Sequence, residues 1–120
     1  MTAEAGQRRT ERLPRAARVR RRPEYLTIQN RGRRAGGAHL LLFGLPGTGR
    51  LGITVSKKVG GAVARNRVKR WVRDCFRRAR GHFPPTVDLV VVARPGSADA
   101  GHEAICRELK SLASRFGAAR

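Results

Sequence analysis

Two hydrophobic periods meet in the middle of the chain. Leu51, Ile53 and Val55 alternate with Gly52, Thr54 and Ser56, the period-two pattern of a half-buried strand. Lys57-Lys58-Val59-Gly60-Gly61 then breaks the pattern, because paired glycines suit neither a strand nor a helix. From Ala62 the period lengthens. Ala64, Val68, Trp71, Val72, Cys75 and Ala79 fall three and four apart and share one helical face.

The flanking segments read in the same way. Val19 to Gly32 suits a short helix, with Pro23 in its first turn and Gly32 at its end. Arg33 to Gly37 is a loop or weak first strand, and Ala38 to Leu45 is a strand closed by the turn Pro46-Gly47-Thr48-Gly49. Gly81-His82-Phe83-Pro84-Pro85 ends the long helix. Val87 to Ala93 is continuously apolar, as a strand covered on both faces is. A last helix runs from Ala98 to Phe116, with Ile105, Leu109, Leu112, Ala113 and Phe116 as its apolar stripe. Strand, helix and strand suggest a crossover unit. The predicted fold is an α/β (α+β) two-layer sandwich: about four mixed strands with helices packed on the sheet, in one domain over residues 18–117. The general rule for crossovers gives it a right hand.

Charge changes the picture from fold to partner. The 120 residues carry 27 Lys and Arg against 8 Asp and Glu, a net charge of +19, so the partner is a polyanion. Most of the positive charge is arginine, whose planar fork grips phosphate and stacks on bases. On the long helix, Arg65, Lys69, Arg70, Arg73, Arg77 and Arg80 fall within an arc of roughly 140°, with Asn66 among them, at about 100° per residue. Arg67 and Arg78 lie off its edge, and Asp74 is the helix's only acid. A solvated helix normally mixes signs to gain i,i+4 pairs. This one sets Arg65 against Lys69, Lys69 against Arg73 and Arg73 against Arg77, each costing a few tenths of a kcal/mol. A bound polyanion removes that cost. Residues 1–17 are polar, Arg-rich and aperiodic, a basic tail expected to be disordered or to fold only on RNA.

Other chemistry is thinly supported. Cys75 and Cys106 form no CxxC pair and lie on helical apolar faces, so they are expected as buried, reduced thiols in a cytoplasmic protein. His39, His82 and His102 are scattered, and no nucleophile, base and orienter come together. The acids do not converge: Glu4 and Glu11 are in the tail, Glu24 opens a helix, Asp74 is surrounded by arginines, Asp88 stands alone in a strand, and Asp99, Glu103 and Glu108 belong to the last helix. No apolar run is long enough to span a bilayer, and the N-terminus lacks the apolar core of a secretory signal.

Val55-Ser56-Lys57-Lys58-Val59-Gly60, then Ala62-Val63, then Arg65-Asn66-Arg67-Val68-Lys69-Arg70 closely resembles the signature of the bacterial ribonuclease P protein subunit, and the resemblance extends from about Leu13 to Phe116. Gly61 departs from it, standing where many members carry a polar or larger residue. The resemblance implies an α-β-β-β-α-β-α order with a left-handed crossover, against the general rule. It implies that Lys57, Lys58, Arg65, Asn66, Arg67, Lys69, Arg70 and Arg73 bind a catalytic RNA, one protein to one RNA. It further implies a cleft for the single-stranded 5′ leader of precursor tRNA at Tyr25, Gln29, Phe43, Thr54 and Ser56. Aromatic stacking beside arginines is how single strands are held without strict sequence reading. Phe43 can equally be an ordinary sheet residue, Tyr25 reads first as a cleft aromatic with core packing as its alternative, and Gln29 stands where the family often has a second aromatic. In this picture the RNA and its Mg²⁺ carry the chemistry and the protein alone is inactive. A ribosomal or other structural RNA-binding protein would show the same basic helix. A DNA-binding regulator would place that helix after another helix and a tight turn, not after a strand.

Overall fold

A computed structural model describes residues 18–19 and 21–117. The expectation for the tail at 1–17 lies outside the described residues. The elements run α1 (Arg22–Arg31), β1 (Arg33–Gly36), β2 (Leu40–Pro46), β3 (Leu51–Val55), α2 (Ala62–Arg78), β4 (Val87–Ala93) and α3 (His102–Gly117), with short helical turns at Arg80–His82 and Ser97–Ala100. The sheet order is β1-β2-β4-β3. Strand β4 pairs antiparallel with β2 and parallel with β3, and α2 forms the crossover between the two parallel strands.

Cross-strand register sorts the side chains onto two faces. Leu40 and Leu42, Leu51, Ile53 and Val55, and Leu89, Val91 and Ala93 face one side, where they pack with Val68, Val72, Cys75 and Phe76 of α2 and with Ile105, Leu109, Leu112, Ala113 and Phe116 of α3. The other face is smaller. Val90 packs there with Ile28 of α1 and with Val19, flanked by Tyr25, Phe43, Leu45 and Val92. The central strand therefore buries both faces, with Leu89, Val90 and Val91 at 1% exposure or less. That explains its unbroken apolar run.

Three boundaries differ from the expected ones. Val19 is not helical: Arg18 bridges in parallel to Leu51, and the Val19 N–H donates to the Leu51 carbonyl at 2.9 Å. The helix begins at Arg22, where the Arg21 N–H donates to the Glu24 carboxylate one turn on. Strand β2 starts at Leu40 because Glu108 of α3 holds the turn before it, accepting from the backbone N–H groups of His39 and Leu40 at 2.8 and 2.7 Å and contacting His39 Nδ1. The last helix is split by Gly101, whose φ of 92° suits glycine and ends the turn at Ser97–Ala100 before α3 begins.

The cysteines are the clearest correction. Cys75 and Cys106 are joined in a disulfide, not kept as separate thiols. They lie 31 residues apart in sequence, but α2 and α3 pack side by side and bring their Cα atoms to 5.5 Å, well inside the span a disulfide bridges.

Asp88 is not alone either. It is 6% exposed and accepts hydrogen bonds from the backbone N–H groups of Thr48 and Arg50 and from the Arg50 guanidinium, which also pairs with Glu24 of α1. Burial by itself would raise its carboxyl pKa. The hydrogen bonds from Arg50 and Thr48 outweigh burial and hold it below the ordinary carboxylate value. A depressed folded pKa contributes stability that is present above the unfolded pKa of about 4 and is lost as pH falls through the folded one. Asp88→Ala should therefore cost about 2–4 kcal/mol at neutral pH by orphaning Thr48, Arg50 and part of the α1 anchor. Urea unfolding at pH 7 and at pH 3 checks it: the gap between wild type and variant should narrow in acid.

Candidate nucleic-acid interface

Helix α2 owes its orientation to the four side chains it buries, Val68, Val72, Cys75 and Phe76. Phe76 was not part of the expected stripe. Its ring meets Phe83 edge-on at 4.9 Å between centroids, and this turns the buried face of the helix toward Arg65. Trp71 is left only half-buried at the far margin of the stripe, and Arg65 and Lys69 are half-buried along the near margin. Asn66, Arg67, Arg70 and Arg73 are exposed. The helix has no acid in its first turn and no side-chain cap at Gly61, beside which a Cβ would meet open space.

The arginines divide into engaged and unengaged groups. Arg77 and Arg78 both pair with Asp74, at 2.7 and 3.1 Å. Arg80 lies beyond the helix with its guanidinium 4.6 Å from the centre of the Phe76 ring, so it leaves the cationic arc to which its spacing assigned it. Among the described residues, Arg65, Arg67, Lys69, Arg70 and Arg73 have no carboxylate partner. Arg65, Lys69 and Arg73 follow one another at one-turn spacing and form an acid-free ridge. Arg18, at the open edge of β3, extends this surface and lines one hollow with Asn66, Lys69, Arg70 and Arg73. Its contribution was not legible in the sequence, because Arg18 reaches this surface only through its bridge to Leu51. Desolvation, followed by the nearby charge of Arg18, holds the Arg73 guanidinium below the usual arginine pKa. Two crowded cations without an acid between them are a ready seat for phosphate oxygens.

The second surface lies across β3. Tyr25 rests on Gly52, where a Cβ would come within 2.9 Å of the ring, and its hydroxyl accepts from the Ile53 N–H at 3.2 Å on the open edge of the sheet. It is half-buried, so it is partly a packing residue while keeping ring surface outside. Phe43 packs against the same small cluster, and Thr54 shares that face in register with Val92. Gln29 is half-buried on α1 beside Ile28. Ser56 falls beyond the end of β3, exposed, and its hydroxyl accepts from the Lys58 N–H. It belongs with Lys57 and Lys58 in the exposed turn that leads into α2. Tyr25, Phe43 and Thr54 thus share one face, and Ser56 stands at its rim.

Acids offer no comparable site. Among the described residues no three His, Cys, Asp or Glu side chains are grouped to hold a metal ion, and no helix is long and apolar enough to cross a membrane.

Gly52→Ala tests the seating of Tyr25. The added methyl should displace the ring and cost about 1–3 kcal/mol. Tyrosine fluorescence and thermal unfolding of Gly52→Ala should show a perturbed ring, and thermal unfolding of Tyr25→Phe, which removes the only tyrosine, should show only the loss of the edge hydrogen bond.

The family model for ribonuclease P matches residues 13–117. A ribonuclease P protein component from Desulfovibrio desulfuricans is 42% identical over 111 residues, which cover 87% of this chain and 85% of that protein. The structure of the RNase P protein from Thermotoga maritima superposes with a TM-score of 0.75 at 31% identity, over 82% of this chain and 96% of that one. The Staphylococcus aureus RNase P protein does so with a TM-score of 0.72 at 28% identity, over 82% and 93%.

Proposed function

The chain belongs to the bacterial ribonuclease P protein component family, and from that premise we propose that it binds the catalytic RNA through α2 and the 5′ leader of precursor tRNA through the face that carries Tyr25. As a member it is part of an endoribonuclease complex with an RNA partner. The observation that carries the finer reading is the acid-free ridge of Arg65, Lys69 and Arg73, held outward by a buried stripe and continued by Arg67, Arg70 and Asn66. Lys57 and Lys58 extend it into the preceding turn. Such a surface reads phosphate spacing and helix shape rather than base sequence.

On the other face, Tyr25 and Phe43 offer ring surface and Thr54, Ser56 and Gln29 offer hydrogen bonds, the combination that holds an extended single strand. The division of labour follows from the acids. Asp88 and Glu24 are bound to Arg50, Asp74 to Arg77, Arg78 and His102, and Glu108 to the backbone of β2. These carboxylates do not fit a Mg²⁺ site, so the catalytic metal is assigned to the RNA and no chemical step is routed through this chain. The protein supplies affinity and position, one copy per RNA, in the cytoplasm. There the Cys75–Cys106 bond would face cytosolic reductants, which disfavour such bonds in most proteins.

Replacing Arg65, Lys69 and Arg73 together by Ala tests this assignment. Binding to the catalytic RNA should weaken, and the log–log salt slope should flatten by roughly 2, at about 0.7 per lost contact to single-stranded phosphate. A folded triple variant with an unchanged slope would remove α2 from the interface. With Tyr25→Ala, precursor carrying a leader should lose about 1–3 kcal/mol of affinity per unstacked base while mature tRNA is spared.

A further inference from the structure

One aromatic pair on the cationic side is unaccounted for by either surface. Trp71 of α2 and His102, the first residue of α3, stack with their planes 28° apart and centroids 6.5 Å apart. His102 keeps 44% of its side chain exposed, and its Nε2 lies 3.2 Å from Asp74 Oδ2, which ties the ring to α2. Trp71 is anchored on one side by the core and half-open on the other. The hollow that takes in both rings is also lined by Asp74 with its partners Arg77 and Arg78, and by Arg70 and Arg73, which have no carboxylate partner among the described residues.

The pair is braced. Trp71 and Cys75 are four residues apart on α2, as His102 and Cys106 are on α3, so the disulfide bolts the two helices together one turn from the rings. A buried hydrophobic contact needs neither an exposed imidazole nor surrounding arginines. Aromatic rings set among guanidinium groups are the arrangement that stacks nucleobases while phosphates are held beside them.

We propose that Trp71 and His102 form a stacking platform for an unpaired base of the bound RNA, a contact separate from the Tyr25 face and resting on the RNA-binding reading above. It adds a base-dependent component to a helix that otherwise engages only charge. In the oxidised form the Cys75–Cys106 bond fixes the spacing of α2 and α3, which lowers the ordering cost of binding.

Trp71 is the only tryptophan in the chain, so its emission reports on the platform without labelling. The full-length protein is titrated with oligoadenylate and, separately, with heparin, which carries charge but no bases, while calorimetry follows binding independently. Oligoadenylate should quench Trp71 in step with binding, and heparin should bind without comparable quenching. His102→Ala, at an exposed position, should weaken oligoadenylate roughly 5- to 150-fold and leave heparin unchanged, and His102→Tyr should restore the loss. Oligoadenylate binding with unaltered Trp71 emission, equal quenching by both polyanions, or an indifferent His102→Ala variant would overturn the platform and leave the RNA reading standing. Failure to bind oligoadenylate at all would likewise overturn the platform, while the RNA reading is judged by the salt slope with the catalytic RNA.

Discussion

The burial of one stripe of α2 is the constraint on which the rest depends. Val68, Val72, Cys75 and Phe76 are each 2% exposed or less. Burying a large apolar side chain contributes about 1.5–3 kcal/mol, whereas a like-charge pair one turn apart costs only a few tenths. The core term wins by a wide margin. The fold can therefore hold Arg65, Lys69 and Arg73 in a row without acids, and the uncompensated charge persists as binding capacity for a polyanion.

Strand β3 ties the two surfaces together. Leu51, Ile53 and Val55 pack beneath α2, while Gly52 seats the Tyr25 ring and Thr54 faces the same side. The edge of the strand is occupied by Arg18 and Val19 on one register and by the Tyr25 hydroxyl on the next. The cationic ridge and the Tyr25 face are thereby both fixed by a strand of five residues. Glu24 and Asp88 secure the arrangement through Arg50, joining α1 to the sheet. Side chains that looked idle in the sequence are structural ties, and this leaves the unpaired arginines as the reactive part of the surface.

Periodicity carried most of the fold. The switch from Leu51-Ile53-Val55 to Val68-Val72-Cys75 located β3 and α2, and the apolar run at 87–93 located the central strand. What it missed depended on contacts between distant residues. Glu108 sets the start of β2 from 68 residues away, and Asp88 meets Arg50 from 38 residues away. Cys75 meets Cys106 only because α2 and α3 lie side by side. Helical angles placed the cationic ridge correctly but not its occupancy: Arg80 stacks on Phe76, and Arg77 and Arg78 are taken by Asp74. A leader role for the Tyr25 face was suggested only by family resemblance, since a half-buried tyrosine reads the same in a core as in a cleft.

On the proposed reading, this protein contributes affinity and position while the RNA contributes chemistry. The direct measurement is cleavage of precursor tRNA with Mg²⁺ by purified protein freed of nucleic acid, by the catalytic RNA alone, and by the two reconstituted. The expected result is no 5′ cleavage by the protein, slow cleavage by the RNA that demands more Mg²⁺, and fast cleavage at low Mg²⁺ by the complex. Specific 5′ cleavage by the RNA-free protein, abolished by changing one of its carboxylates, would contradict it.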